Sequence, residues 1–399
     1  MRKIFVPEMK DRTADAVVIG GGIVGTATAF WLSKAGLDTI LVEAREGLST
    51  LTTAASAECF RAQFTEPALA PLAKESIEFF EHFAERVGLP GWDIAMHQQG
   101  YLFITDDENM IPDLEGAVAQ HRKLGVSDSE VLSREEVHAR FPFLSPKVVG
   151  ATFRQRDGWL SCHEVTQGFA KGSSARFFVK TEATDVFVDG KGVSGVQTTR
   201  GKIATRVVVN AAGPFAGVIG RMVGLELPLE PVRRQKVFIA SAPVPVKAPF
   251  TVDLVNDSYW RPESGGALLG WVDMDEPVSA PMENPLGDWD FPAVCLDKVS
   301  RLTPLFEQVG ENLKKKDINV SAGQYVYTPD NQPLIGPVNE VPGFYLNCGY
   351  WIGVMVSPMA GKRTADLITG NMDNKDNLLR LSRYEEGLDM GGGSFLSGH

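Results

Sequence analysis

Three glycines, Gly20, Gly22 and Gly25, stand at the spacing G-x-G-x-x-G, and an acid, Glu43, follows further along. Residues of these types at this spacing can hold a dinucleotide. Gly20 permits a tight turn, Gly22 lets backbone N–H groups approach a pyrophosphate, and Gly25 lets a helix pack closely on a strand. The phosphates would then lie at a helix N-terminus, where unpaired N–H groups and the macrodipole favour negative charge. Glu43 can accept both hydroxyls of a ribose, and its charge disfavours a 2′-phosphate. A second glycine turn, Tyr350 to Val354, leads into another helical pattern and is a second place where N–H groups can face a cofactor.

The elements that must position these residues can be read from the hydrophobic pattern. Ala16 to Arg45 reads as strand, glycine turn, helix, strand and acid. That context, within about 30 residues, gives the glycine spacing its meaning. Pro67 to Val87 is helical in pattern, with Leu72, Ile77, Phe79, Phe80 and Phe83 on one buried face; Tyr101 to Thr105 alternates like a strand; residues 106–144 are charged and helical in pattern. Thr166 to Ala170 is helical, Phe177 to Thr181 and Ala183 to Val188 are strand-like, and Lys191-Gly192 makes a turn. Val207 to Asn210 runs into the turn Ala211-Ala212-Gly213-Pro214, as expected of a strand inside a parallel sheet with its carboxyl end toward ligand. From Leu225 to about Val320 the pattern becomes β-rich, with strands at Val237 to Ala240, Ser258 to Arg261 and Ala267 to Val272 and prolines between them. Strand patterns return around Tyr325, at Pro333 to Gly336 and at Phe344 to Cys348, before a helix over Ser357 to Thr369.

Composition narrows the function classes. A chain of 399 residues can form two domains, and 50 acidic against 39 basic residues, a net charge of −11, argues against nucleic-acid binding. Met1 to Asp15 is mixed and polar, so no signal peptide or membrane anchor is expected, and the apolar run at Val207 to Val209 is too short for an integral membrane segment. Cys59, Cys162, Cys295 and Cys348 form no C-x-x-C and read as free thiols in a reducing cytoplasm. No metal-ligand cluster and no internal repeat stands out.

Four segments taken in order, the opening fingerprint, V-V-N-A-A-G-P, T-P-D-N-Q-P-L-I-G-P and C-G-Y-W-I-G-V-M-V-S-P-M-A-G-K, resemble the D-amino-acid oxidase and sarcosine oxidase superfamily of FAD enzymes. Within it the chain is similar to the branch of the sarcosine oxidase β-subunit, dimethylglycine dehydrogenase and glycine oxidase, and D-G-W-L-S near Asp157 and P-V-R-R-Q near Arg233 add to the likeness. The resemblance implies an α/β fold: a Rossmann-like FAD-binding domain from residues 1–91, 145–224 and 321–390, with a mixed or antiparallel β-sheet substrate domain inserted discontinuously from 92–144 and 225–320. Residues 391–399 would form a flexible tail. It also implies site residues. Gly20, Gly22, Ile23, Val24 and Gly25 would meet the pyrophosphate, with Glu43, Ala44 and Arg45 at the ribose. Thr52, Thr53, Ala54, Ala55 and Ser56, with Arg61, would wrap the diphosphate and flavin face. Ala183 would touch adenine, Ala211, Ala212 and Gly213 would pass beneath the cofactor, and Trp351, Ile352, Gly353, Val354 and Met355 would offer N–H groups to the flavin pyrimidine.

Departures from the pattern carry specific expectations. The segment Gly323 to Tyr327 holds no cysteine for a flavin bond, so FAD is expected to be noncovalent; Cys59 and Cys348 lie in cofactor segments but read as small buried residues. Gly266 to Gly270 offers leucines where monomeric sarcosine oxidases carry a lysine over the flavin, which tilts the acceptor from oxygen toward another electron carrier, unless a cation such as Arg61 substitutes. Phe64, Met355 and Tyr325 stand where relatives carry basic carboxylate anchors. Either Arg61 or Arg261 anchors a substrate acid or the substrate has no α-carboxylate; for Arg261 a surface charge is an equal reading. Trp260, Trp271, Tyr325, Tyr327, Tyr350 and Trp351 would converge near the flavin, as a cation–π wall or as packed aromatic core. Arg61, Trp260, Arg261, Tyr325 and Trp351 are thus the candidate catalytic set. His163 could accept a proton or be structural. The implied reaction is oxidation of the C–N bond of an amino acid or a secondary or tertiary N-methyl amine, by hydride transfer to flavin N5 and imine hydrolysis. The alternatives are a subunit serving electron transfer or docking in an amine dehydrogenase complex, or an NAD(P)-dependent dehydrogenase, which would leave the late motifs unexplained. An oligomer is compatible with this composition.

Overall fold

The structure, a computed structural model, describes residues 4–5, 12–310 and 313–391. The expected tail at 391–399 falls, apart from its first residue, outside the described residues. The chain forms an α/β fold around two large sheets. In the first, Ala16–Ile19 lies at the centre, flanked in parallel by Thr39–Val42 and Val207–Asn210; Phe344–Cys348 pairs parallel on the far side of Val207–Asn210. All four residues of Ala16–Ile19 and of Thr39–Val42 are buried, as expected of strands covered on both faces. A small sheet of Ala183–Asp189, Gly192–Thr198, Gly201–Ala204 and Arg12–Thr13 flanks this core.

The helix Ile23–Lys34 follows the first strand through Gly20 and Gly22, and the small residues Gly25, Ala27 and Ala29 let it sit buried. A Cβ on Gly361 would meet Ala27 C at 2.7 Å and Thr28 N at 2.8 Å, so the helix Gly353–Thr369 crosses the first helix at backbone contact. The crossing brings both helix N-termini to one cleft. Gly353–Thr369 begins four residues before the expected Ser357. Pro358 lacks the N–H that would bond Val354 O, and Ser357 Oγ takes that carbonyl at 3.2 Å instead, so the helix runs through.

The second sheet has eight strands, with Ile318–Tyr327, Glu230–Ile239, Gly266–Trp271, Ser258–Glu263, Phe250–Asp253, Tyr101–Thr105, Gly150–Arg154 and Glu130–Ser133 in that lateral order. Its composition moves two expected boundaries. Gly150–Arg154 pairs with Tyr101–Thr105, so the residues just after 145 belong to this sheet, and the strand Ile318–Tyr327 straddles 321 and pairs along its length with Glu230–Ile239. The stretch 106–144 is not wholly helical: Glu130–Ser133 is an edge strand between the helices Ile111–Lys123 and Arg134–Arg140. The helical pattern over Pro67 to Val87 resolves into Leu69–Glu81 and Phe83–Arg86. Among the described residues no helix is long and apolar enough to cross a membrane, no His, Cys, Asp and Glu cluster could hold a metal, and the four cysteines are free.

Candidate active site

A cleft opens where the two helix N-termini meet the second sheet. Gly22, Ile23 and Val24 enter it from one helix and Ile352 to Met355 from the other, with Ala211, Gly213 and Pro214 on the floor. Each glycine of the fingerprint answers to a contact. A Cβ on Gly20, whose φ is +111°, would meet Ala211 O at 2.4 Å, and one on Gly25 would meet Gly20 O at 2.0 Å. Gly22 differs: its Cβ would meet only Thr53 Oγ1, at 3.3 Å, because it faces the cleft. Neither helix has a side-chain cap from its own N-cap residue, although Ile23 N–H donates to Thr53 Oγ1 at 3.3 Å and Met355 N–H is taken by Ile352 O at 3.0 Å. Two positive dipole ends therefore face one space. Glu43 stands at its strand end as expected, its carboxylate accepting Gly21 N–H at 2.6 Å and Arg45 N–H at 2.7 Å, which fixes its direction and leaves lone pairs for hydroxyls. Ala183 lies nearby, two residues after Thr181, whose N–H donates to Glu43 O.

The segment from Thr52 to Cys59 forms a third wall. Thr52, Thr53 and Ser56 line the cleft, whereas Ala54 and Ala55 do not; Ala55 packs against Gly323, where a Cβ would stand 2.8 Å from its methyl. Glu58 and Cys59, with Tyr325 and Trp351, complete the wall nearest the second sheet. Glu58 has a left-handed backbone, φ +60°, and its carboxylate accepts the Cys162 N–H and thiol and Arg261 Nη2. Burial pushes the Cys59 thiol up to about 11, against the pull of the Arg61 and Arg261 charges, so it is a neutral lining group. Trp351 is fixed by its indole N–H on Asn331 O at 2.8 Å, a contact from the T-P-D-N-Q-P loop. Burial raises the Tyr101, Tyr259 and Tyr325 phenols above their ordinary value and keeps them protonated.

The two arginines differ. Arg61 is fully buried, its guanidinium 4.0 Å from the Phe64 ring, 5.2 Å from Phe103 and 5.9 Å from Trp351, with Nη1 donating to Gln63 O. Arg261 is also fully buried, which rules out the surface-charge reading, and it is held by Glu58, Glu263 and Ala57 O. Two carboxylates already meet its charge. Trp260 is a correction. Strand alternation sends Arg261 toward Glu58 and Trp260 to the opposite face, where it packs on Phe143 and Phe306 and donates to Thr303 Oγ1 at 3.0 Å. Trp271 joins the same distant core, and His163 is exposed on the helix Cys162–Gly172 away from the cleft. Sequence reasoning missed Glu58, Gln324, Asn347 and Pro214 as lining residues. It also missed Lys236, whose half-buried ammonium donates to Ala54 O at 3.2 Å and Ser56 O at 2.5 Å and is shifted down by desolvation.

Residues 15–367 match the model of the FAD dependent oxidoreductase family. The chain belongs to that family. It is 28% identical over 388 residues to the mitochondrial dimethylglycine dehydrogenase of Mus musculus, covering 91% of this chain and 43% of that protein. The chain thus spans less than half the length of the dimethylglycine dehydrogenases it matches. It is 28% identical over 391 residues to the glycine oxidase of Bacillus subtilis (strain 168), covering 94% of this chain and 98% of the relative. Among solved structures, L-proline dehydrogenase from P. horikoshii superposes with a TM-score of 0.83 at 26% identity, covering 94% of this chain and 99% of the other. The glycine oxidase of Geobacillus kaustophilus gives 0.80 at 26% identity, covering 93% and 99%. FAD is the family's cofactor, and the cleft fits it: the Gly22 face is open for a diphosphate, two helix N-termini converge, and Glu43 is oriented at the strand end. Gly22, Ile23, Val24 and Thr53 would hold the diphosphate, and Gly353 and Val354 the electron-rich end of the flavin.

Proposed function

We propose that the chain oxidises the C–N bond of an amino acid or an N-methyl amino acid, with FAD held noncovalently in the cleft. Bound FAD supplies the hydride acceptor; the protein supplies binding, alignment and exclusion of water. The carrying observation is that Tyr325, Trp351 and Cys59 line the cleft with the buried guanidinium of Arg61 near Trp351. In this reading Trp351 and Tyr325 present ring faces to an amine and its N-methyl groups. Arg61 binds the substrate carboxylate: its guanidinium stands 5.9 Å from the ring of Trp351, which lines the cleft. Cys59 is a neutral thiol, and the Glu58 carboxylate beside it is met by Arg261. Free thiols fit a reducing cytoplasm.

The test is the visible spectrum of the purified protein mixed anaerobically with N-methyl amino acids, amino acids of both hands and simple amines. Bleaching by a carboxylated amine supports the reading, and bleaching by simple amines alone removes Arg61 from it. Readmitting air then distinguishes oxygen from another electron acceptor. A second reading, a subunit of a larger amine dehydrogenase, draws on the chain's spanning only 43% of the mouse dimethylglycine dehydrogenase. A flavin band that no compound bleaches without a partner protein would favour it.

A further inference from the structure

Behind the cleft wall, around the buried Arg61, lies a chain of buried polar groups. Asp157, the first residue of the D-G-W-L-S motif, is fully buried. Its Oδ1 accepts the Ala62 N–H at 3.1 Å and Arg154 Nη1 at 2.5 Å, and its Oδ2 accepts Gln63 Nε2 at 3.3 Å. Ala62 and Gln63 are the two residues that follow Arg61, and Gln63 O is the carbonyl to which the Arg61 guanidinium donates. Gln63 is further tied by Nε2 to Tyr101 O at 3.0 Å and by Oε1 to Thr152 Oγ1 at 3.0 Å. Asp157 is brought to this point by backbone pairing. Cys59 and Phe60 lie antiparallel to Trp159 and Gly158, and a Cβ on Gly158 would collide with His97 O at 1.8 Å, so only glycine allows the approach.

A buried aspartate paired with a buried arginine is a poor source of stability, because desolvation consumes most of the attraction. What such a pair can supply is a single conformation. We propose that Asp157 is a positioning residue for substrate binding: by holding the Ala62 N–H and the Gln63 amide it fixes where the Arg61 guanidinium stands, and carboxylate affinity depends on it. This rests on the reading of Arg61 as the carboxylate anchor. Asparagine at 157 turns an NH₂ toward Gln63 Nε2, donor against donor, so the Gln63 side chain must move, and that strain falls on the residue whose backbone carbonyl accepts from Arg61. Losing one charge-assisted hydrogen bond to a carboxylate weakens binding roughly tenfold or more. Thr152→Val removes only the hydroxyl donated to Gln63 and is the milder perturbation.

The experiment uses the FAD-loaded Asp157→Asn and Thr152→Val proteins beside wild type and Arg61→Lys. Each is titrated anaerobically with propionate, a carboxylate alone, and trimethylamine, an amine alone, and read by perturbation of the flavin band. Crystal structures of wild type and Asp157→Asn accompany the titrations. We expect Asp157→Asn to weaken propionate about tenfold or more and Thr152→Val about threefold, both leaving trimethylamine and flavin content unchanged, with Arg61 displaced in the Asn structure. Unchanged propionate affinity in flavin-loaded Asp157→Asn, equal weakening of both probes, or an undisplaced Arg61 overturns the inference. Propionate that ignores Arg61→Lys or fails to bind wild type overturns the anchor reading instead, and a displaced Arg61 in that case keeps the two failures apart.

Discussion

Gly22→Ala and Gly25→Ala differ by one methyl each on neighbouring turns of one motif, yet the structure assigns them different consequences. Gly22 has an ordinary backbone, φ −71° and ψ 177°, and an added methyl would meet only Thr53 Oγ1 at 3.3 Å. Folding without cofactor should change by no more than about 0.5 kcal/mol, since only the Thr53 hydroxyl must give, by a few tenths of an ångström. The methyl does occupy the face from which a diphosphate approaches the Ile23 and Val24 amides. Weakening two charge-assisted hydrogen bonds of about 1.5 kcal/mol each gives about 3 kcal/mol, or roughly a hundredfold in Kd. With FAD at a hundred times the wild-type Kd, ligand stabilisation of about 2.7 kcal/mol should fall to about 0.4 kcal/mol. Gly25→Ala instead drives a methyl to 2.0 Å from Gly20 O and should cost about 1–3 kcal/mol or more in the apoprotein as well. Urea unfolding of the apoproteins, thermal shifts with and without FAD, and flavin absorbance after dialysis separate these terms. A Gly22→Ala protein that keeps wild-type FAD affinity, or loses as much apo-stability as Gly25→Ala, would refute the assignment of this turn to the diphosphate.

Further outcomes follow from the buried charges. Arg261→Ala should destabilise by about 2–4 kcal/mol, since it strands Glu58 and Glu263, which are only partly exposed; an unchanged urea midpoint would contradict this. Burial, with Arg61 and Arg154 nearby, lowers His121 to about 4, so the unfolded chain binds the extra proton first as pH falls. Stability should therefore be intact above pH 6.5 and decline toward pH 4 by about 3 kcal/mol, and His121→Gln should flatten that acid limb. Matching acid profiles for the two proteins would exclude His121 as the cause. Cys59, raised to about 11, should resist iodoacetamide in the folded protein at pH 8 and begin to react only as the pH nears 11. Fast alkylation at pH 8 would mean the thiol is not in the environment described.

The parts of the site that were legible in the sequence are those fixed by backbone contact. Gly20 and Gly25 each abut a specific carbonyl, and a glycine so constrained appears in the sequence as spacing. Side-chain direction in the second sheet was not legible, because a shift of one residue sends every side chain to the other face, and only the pairing of Ser258–Glu263 with Gly266–Trp271 decides that Trp260 shares a face with Leu269, opposite to Tyr259 and Arg261. The start of Gly353–Thr369 was obscured by Pro358, since a residue before proline ordinarily avoids helical backbone; the Ser357 hydroxyl on Val354 O is a tertiary-level compensation with no sequence marker. Partners distant in the chain, such as Glu58 and Arg261, were invisible for the same reason.

Lys236 shows how far this limit reaches into function. The strand Gly266–Trp271 holds leucines where monomeric sarcosine oxidases carry a lysine, which tilts the acceptor away from oxygen. Lys236 lies on the neighbouring strand directly opposite Gly270, the end of that same segment, and its ammonium reaches the carbonyls of Ala54 and Ser56 at the cofactor wall. A positive charge therefore arrives at that wall laterally, across the sheet. Position-by-position reading along one strand cannot see such a substitution, because a sheet supplies its neighbours from any strand that pairs. The leucines at 268 and 269 thus carry less weight on the choice of acceptor than the sequence assigned them, and the air-readmission step of the spectral assay decides that choice.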